Sequence, residues 1–191
     1  MADVEYTIRR KVLTLLGAKF HIYDQAGSLI GFSKQKAFKL KEDIRIYRDE
    51  SMQQEFLTIS ARSIIDFGAA YDIIDSKSGR SLGALKRQGL ESMFRDKWII
   101  FDEDGNQRGT IEEDSPYLAI VRRMSDLAAT FIPQAFSLKD SSGTVYAEFR
   151  THLNFFVHKL TVRVLDNCPL DQAVPLAAGI LLVAIEGRQR N

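Results

Sequence analysis

The stretch that decides the fold is AVPLAAGILLVAIEGRQRN, residues 173–191, in which the ten positions from Leu176 to Ile185 carry no polar side chain. A helix that crosses a membrane needs about 20 predominantly apolar residues, so this run is too short to be a transmembrane segment. A helix that is apolar on every side is instead buried on every side. The run therefore predicts a helix that the rest of the protein encloses.

Residues around this run supply start and stop signals for the helix. Asp171 is placed as an N-cap, and Pro175 falls within the first turn, where its missing N–H costs least. Gly187 is placed as the residue that ends the helix. The predicted helix runs from about Gln172 to Glu186. At the usual rise per residue it is about 22 Å long.

A buried helix needs a wall on all sides, and a single sheet covers only one. A sheet closed into a barrel covers every side and removes its own exposed edges. Because a barrel of about eight strands is filled by its own side chains, one that holds a helix needs more strands. Small helix residues would let the wall come close: Ala177, Ala178, Gly179 and Ala184.

Four other segments share one pattern: an aromatic residue, an Asp four positions later, and a Gly three or four positions after that. They are FHIYDQAGSLIG from Phe20, YDIIDSKSGRSLG from Tyr71, WIIFDEDGNQRG from Trp98 and FSLKDSSGTVYA from Phe136. A second small residue follows each Gly after four positions: Gly31, Gly83, Gly109 and Ala147.

This pattern predicts a β-hairpin. Asp accepts backbone N–H bonds in a turn, and Gly supplies the positive φ of the tight return. The second small residue is expected where backbones approach closely or a strand bends. The alternative is four independent coincidences. The uneven spacing of the four segments excludes a fixed-period solenoid or propeller.

The segments between the hairpins alternate with a period of two. In KLTVRVL, Leu160 and Val162 share one face while Thr161 and Arg163 share the other. Such alternation is typical of an antiparallel sheet with one buried face. The predicted fold is mainly β, a closed antiparallel barrel of about twelve strands around the C-terminal helix, as a single domain over residues 1–191.

Composition narrows the class of protein. With 191 residues, 45% hydrophobic and 27% charged, the chain has the profile of a globular protein that needs no disulfide or metal to fold. A net charge of +1 does not indicate a nucleic-acid-binding protein. The single cysteine, Cys168, and the charged N-terminus predict a reducing compartment without secretion. We therefore expect a cytoplasmic protein, and a peripheral association with membranes is compatible with this expectation.

The chain resembles the LURP-one-related family, within the wider group of tubby C-terminal domains and phospholipid scramblases. The resemblance rests on the block from Tyr6 to Glu50, on the repeated aromatic–Asp–Gly hairpins and on the closing apolar helix. It implies a twelve-stranded barrel threaded by that helix. It also implies a relation to proteins that bind phosphoinositide headgroups or act at membranes with calcium. The Asp-rich calcium segment of the scramblases is reduced here to Asp166, Asn167 and Asp171.

Motifs for catalysis or metal binding are weak in this sequence. We expect no cofactor and no metal. His21, His152 and His158 are scattered and are interpreted as structural or surface residues, and Cys168 as an inert thiol. The segment DEDGNQRGTIEE from Asp102 resembles a calcium loop, but Gln107 stands where such a loop requires Gly.

The strongest candidate site is basic. Lys34, Lys36, Lys39 and Lys41 lie within eight residues, so a β-bulge could bring the two pairs together to meet lipid phosphates. The alternative is a solvated outer face, partly neutralised by Glu42 and Asp43. The predicted function is non-enzymatic binding or scaffolding, with anionic lipid headgroups or another protein as partner. The alternatives are a scramblase-like membrane protein and an enzyme with an unrecognised site.

Overall fold

The computed structural model describes residues 2–11, 18–35, 43–62, 70–88, 97–114, 133–152 and 157–189. These residues form twelve strands and one helix, α1 (Ala173–Gln189). The strands are β1 (Val4–Lys11), β2 (Ala18–Tyr23), β3 (Leu29–Gln35), β4 (Ile44–Tyr47), β5 (Glu55–Ala61), β6 (Ala70–Asp75), β7 (Ser81–Gln88), β8 (Lys97–Phe101), β9 (Gln107–Glu113), β10 (Ala135–Lys139), β11 (Val145–His152) and β12 (Val157–Val164).

The strands close into a barrel in which each one pairs antiparallel with its neighbours in sequence, and β1 pairs with β12. The predicted fold class is confirmed. Because successive strands alternate in direction, the short turns after β2, β4, β6, β8 and β10 all lie at one end of the barrel. We call this the turn end and the opposite end the far end. The helix also begins at the turn end, after β12.

The four predicted hairpins are confirmed with the expected roles for Asp and Gly. In each turn the Gly N–H donates to the Asp carbonyl, as from Gly27 to Asp24 at 3.0 Å and from Gly143 to Asp140 at 3.2 Å. The Asp carboxylate accepts further backbone N–H groups, such as that of Ser28 at 2.8 Å. All four glycines have φ between +71° and +89°, a region that other residues enter only at a cost.

The second small residue of each repeat lies opposite the residue that precedes a β-bulge. The pairs are Gly31 with Ile22, Gly83 with Ile73, Gly109 with Ile100 and Ala147 with Leu138. A Cβ on Gly109 would stand 2.5 Å from the Lys139 carbonyl oxygen, so only Gly allows the next strand to approach this closely. The bulges increase the local bending that a closed barrel requires.

A fifth hairpin, between β4 and β5, follows the same plan without a glycine. Met52 donates its N–H to the Asp49 carbonyl at 3.3 Å and takes φ of +57°. Ser51 donates its N–H to the Asp49 carboxylate at 2.8 Å. The repeat in the sequence misses this turn because Met occupies the left-handed position that Gly marks elsewhere.

The helix fills the interior of the barrel. It contacts β1 and β12 on one side and β6 and β7 on the opposite side. Its residues from Val174 to Ala184 are buried, and Val174, Ile180 and Leu181 have no exposed surface. Each buried Val, Leu or Ile contributes about 1.5–3 kcal/mol. The helix therefore serves as the core around which the strands close.

Two predicted boundaries of the helix have different outcomes. Asp171 is the N-cap as predicted, because its carboxylate accepts the Ala173 N–H at 2.8 Å. The prediction that Gly187 ends the helix is wrong, since the helix continues to Gln189. A glycine in a helix costs only about 1 kcal/mol relative to Ala, which one position near the end can tolerate. Within the described part of the chain, no helix is long and apolar enough to cross a membrane.

Candidate functional site

The basic residues predicted from the sequence fall partly within the structure. Lys34 is exposed on the outer face of β3, directly opposite Lys19 of β2. Lys36, Lys39 and Lys41 lie outside the described residues, in the segment 36–42. The described part of the predicted cluster is therefore one lysine, and the structure gives it a basic neighbour that the sequence places fifteen positions earlier.

Barrel closure extends this basic surface across three more strands. Arg9 of β1 lies opposite Lys159 of β12, and Lys159 lies opposite His152 of β11. Arg150, two residues before His152, projects from the same face of β11. We call these outward-facing residues the basic face: Arg9, Lys19, Lys34, Arg150, His152 and Lys159.

Four cations of the basic face form no ion pair with a described carboxylate, while Glu50 pairs with His21, the residue opposite Arg9. In the ranges that the structure describes, no carboxylate lies within 4.0 Å of the charged nitrogens of Lys19, Lys34, Arg150 or Lys159. Like charges directly opposite each other in a sheet are destabilising. The fold thus places Lys19 against Lys34 and Arg9 against Lys159 at a cost to its own stability.

The same strands show the opposite pattern nearer the turn end. There Arg163 of β12 lies between Glu5 of β1 and Glu148 of β11. Its guanidinium is 3.7 Å from the Glu148 carboxylate and donates two hydrogen bonds to Asp3, at 2.6 and 3.0 Å. Near the turn end, opposite charges on neighbouring strands therefore stabilise the sheet. The basic face differs from this region because its opposing residues carry the same charge.

Aromatic side chains support the middle of the basic face. The Arg9 guanidinium carbon stands 4.7 Å from the centre of the Tyr23 ring, a distance at which the ring attracts the cation. Beside it, His21 packs on Phe32 with ring centres 5.1 Å apart, and its Nε2 is 3.0 Å from a Glu50 carboxylate oxygen. Phe32 is only 2% exposed although it faces outward.

His152 lies in a positive environment. Its Nε2 is 2.8 Å from the Thr161 hydroxyl. Burial lowers the pKa of His152 below its ordinary value of 6.5, the charges of Lys159 and Arg150 lower it further, and Glu5 opposes them. The imidazole is therefore neutral at neutral pH and becomes charged more readily when an anion approaches.

A groove of about 330 Å³ runs beside the basic face over β10, β11, β12 and β1. Side chains of both charge signs line this groove. The basic ones are Arg150, His152 and Arg163, and the acidic ones are Glu5, Asp114 and Glu148. Thr161 adds a hydroxyl group. A second groove, of about 320 Å³ near β6 and β7, is bounded by the ion-paired Arg62 and Asp72 and by Lys86.

Two other candidates from the sequence, Asp102 and Cys168, lie in a hairpin turn and at a half-buried position respectively. Asp102, which begins the segment resembling a calcium loop, accepts the Asn106 N–H at 2.8 Å and an Arg108 hydrogen bond at 2.5 Å, so it organises its own hairpin. Cys168 is half-buried, and burial raises the pKa of its thiol. Among the described residues no group of three His, Cys, Asp or Glu could hold a metal ion.

Sequence reasoning missed most of the basic face. The alternation of KLTVRVL puts Lys159 on the same face as Thr161 and Arg163, but a single strand does not reveal its neighbours. His152 was interpreted as a structural or surface residue, and Arg9 and Arg150 were not singled out. The outward positions of β2, β3 and β12 carry no Asp or Glu, whereas β1 and β11 carry Glu5 and Glu148 nearer the turn end.

Comparison with known proteins gives one positive result. The model of the LURP-one-related family matches residues 29–183. No curated protein matches the chain.

Proposed function

The chain belongs to the LURP-one-related family, and on that premise we propose that it is a non-enzymatic binding protein whose basic face engages anionic phospholipid headgroups. The observation that carries this proposal is the set of like charges placed opposite each other without carboxylate partners in the described ranges, Lys19 with Lys34 and Arg9 with Lys159. Phosphate groups would neutralise this repulsion on binding.

The basic face extends over five strands of the curved barrel wall. Its residues lie on β11, β12, β1, β2 and β3, which are successive strands of the wall. Five neighbouring strands span about 19 Å. A patch of this width meets several headgroups at once, and each Lys or Arg near an anionic membrane contributes about 1 kcal/mol. The binding energy is thus spread over many weak contacts.

A vesicle sedimentation assay at low salt tests this proposal. The double variant Lys34→Gln with Lys159→Gln removes two charges from the basic face. The double variant Lys77→Gln with Lys86→Gln removes two charges elsewhere, from the turn and strand on the opposite wall. We expect the first variant to bind phosphoinositide vesicles about 30-fold more weakly than the wild type, and the second to bind like the wild type.

Two results would contradict the proposal. One is the absence of binding to phosphoinositide vesicles at low salt. The other is an equal loss of affinity in both double variants, because this would show that net charge alone, and not the position of the basic face, governs binding.

A further inference from the structure

The groove beside the basic face has its charges sorted along its length. On β11, Glu148, Arg150 and His152 project from the same face at intervals of two residues, which is about 7 Å in a strand. Across the ladder on β12, Arg163 lies opposite Glu148 and Thr161 lies opposite Arg150. Toward the turn end the groove has Glu148 and Glu5, with Arg163 between them held by Asp3, and we call this the carboxylate end. Toward the far end it has Arg150 and His152, and we call this the cationic end.

The carboxylate end retains acceptor capacity. Glu5 has no cation within 4.0 Å in the part of the chain that the structure describes. Glu148 reaches Arg163 only at 3.7 Å, and Arg163 is held more closely by Asp3 at 2.6 Å. Asp114 accepts the Ser137 hydroxyl at 2.7 Å through one carboxylate oxygen, and Lys139 stands 3.4 Å from the same atom.

The cationic end offers donors that no carboxylate uses. Arg150 has five N–H groups and no ion pair among the described residues. His152 and Thr161 are hydrogen-bonded to each other at 2.8 Å, so they are held side by side at the edge of the groove. An arginine with adjacent hydroxyl and imidazole groups suits a phosphate oxygen.

A ligand of one charge sign does not fit the whole groove. A simple phosphate would meet repulsion from Glu5, Asp114 and Glu148, and a simple amine would meet repulsion from Arg150. A ligand with a phosphate and an ammonium group a few ångströms apart matches both ends. The groove volume of about 330 Å³ is sufficient for a group of this size.

We propose that this groove binds a phosphate ester whose alcohol carries a primary ammonium group, as in phosphoethanolamine. The phosphate accepts hydrogen bonds from Arg150 and from the Thr161 hydroxyl, which in turn accepts the His152 Nε2–H. The ammonium donates to Glu148 on the side away from Arg163, where Asp114 is hydrogen-bonded to Ser137, the residue opposite Glu148. The inference rests on the proposed function, because Arg150 and His152 belong to the basic face, and it adds a specific headgroup chemistry to general attraction for anions.

An NMR titration followed at the His152 ring protons tests the proposal with soluble probes. O-phosphoethanolamine is compared with glycerol 3-phosphate, which has the phosphate without the ammonium group. We expect both to shift the His152 signals and O-phosphoethanolamine to bind about fivefold more tightly, as for one exposed charge pair. Ethanolamine alone should leave the His152 signals in place.

Variants separate the two ends of the groove. Glu148→Gln should remove the preference for O-phosphoethanolamine and leave the affinity for glycerol 3-phosphate unchanged or improved. Arg150→Gln should weaken both probes by about fivefold. Lys86→Gln on the opposite wall removes a charge of the same sign as Arg150 and should change neither affinity. Because Glu148 and Arg150 are exposed, folding of the variants is expected to persist.

A vesicle experiment identifies the source of the headgroup. Phosphatidylethanolamine is compared with phosphatidylcholine, whose quaternary ammonium cannot donate a hydrogen bond, at a constant content of anionic lipid. A preference for phosphatidylethanolamine vesicles supports a lipid source. A preference seen only with soluble O-phosphoethanolamine supports a free metabolite with the same chemistry.

Equal affinity for O-phosphoethanolamine and glycerol 3-phosphate, or a preference that survives Glu148→Gln, would overturn the inference. So would unshifted His152 signals at millimolar probe. These results would leave the proposed function standing, since that depends on anionic vesicles and on Lys34 and Lys159, which lie outside the groove lining.

Discussion

Gly179 of α1 packs directly on Val162 of β12, and a Cβ at Gly179 would collide with the Val162 Cγ2 atom. The same Cβ would stand 3.0 Å from Ile8 Cδ1 and 3.3 Å from Leu160 Cδ2. A glycine in mid-helix normally weakens the helix. Here it allows the helix and the closing pair of strands to touch, so the absence of a side chain is part of the core packing.

Gly179→Ala should therefore destabilise the protein, although Ala is the better helix former. Overpacking of a core costs about 1–3 kcal/mol, which exceeds the gain in helix propensity of about 1 kcal/mol. Urea unfolding measures the change. The double variant Gly179→Ala with Val162→Ala should lose less stability than the sum of the losses in the two single variants. Stabilisation by Gly179→Ala alone would show that the wall can move away.

Met52→Gly should stabilise the fold. Met52 holds φ of +57° in the turn where the four other hairpins have glycine, and a side chain in this region costs about 1–2 kcal/mol. After the greater chain entropy of glycine is subtracted, a gain of about 0.5–1 kcal/mol is expected. Thermal or urea unfolding checks this. Gly27→Ala, where φ is +81° and an added Cβ would meet no described atom within 4 Å, should show the converse loss.

Asp140→Asn should lower the free energy of unfolding at neutral pH. The difference from the wild type should disappear in acid. Hydrogen bonds from the Ser142 hydroxyl, Tyr146 and the backbone lower the pKa of Asp140 from 3.8 to about 2. The ionised carboxylate is thus favoured in the folded state, and its contribution is present above pH 3.8 and lost as the pH falls toward 2. Urea midpoints of the variant and wild type should converge over that interval. Asp104→Asn in another turn serves as the control.

Lys34→Gln should raise stability at low salt while it weakens vesicle binding. It removes the repulsion from Lys19, and a like-charged cross-strand pair costs about 0.2–1 kcal/mol. Because salt screens exposed charges, the gain should shrink at high ionic strength. Urea unfolding at two salt concentrations is the measurement, with Lys77→Gln as the control. A loss of stability at low salt would indicate that Lys34 supports the fold.

His152 should titrate below pH 6.5, as followed by its ring protons in NMR. Burial, Lys159 and Arg150 lower its pKa, while Glu5 raises it. The unfolded chain therefore takes up this proton first, and the His152 contribution to stability falls as the pH drops through 6.5. Lys159→Gln should move the midpoint upward. A midpoint at or above 6.5 in the wild type would show that the positive environment is weaker than the structure indicates.

Much of the fold was predictable because its signals are local. The alternation around Leu160 and Val162 identifies the inner face of β12, and Asp140 with Gly143 identifies a turn, whatever lies elsewhere in the chain. The helix length was less predictable. Gly187 resembles a stop signal, yet the helix continues to Gln189, because one unfavourable residue near a helix end has little effect. The fifth hairpin was not predicted because Met52 adopts a left-handed conformation, which is unusual for methionine.

The candidate site was predicted only in part. Lys34 was identified as basic and exposed, but the proposal that it acts with Lys36, Lys39 and Lys41 concerns residues outside the described ranges. Its described neighbour, Lys19, belongs to the preceding strand. A search for clusters along the sequence finds neighbours in the chain and misses neighbours across a sheet.

The sequence by itself determined which side chains face inward, where the strands turn and that a helix must be enclosed. These properties follow from the period of two in a strand, from the conformations open to Asp and Gly, and from the cost of exposing apolar surface to water. Only the tertiary structure decided which outward charges are neighbours. Arg9 meets Lys159 because the first and last strands of the barrel pair in one register, and hydrogen bonds between distant segments set that register.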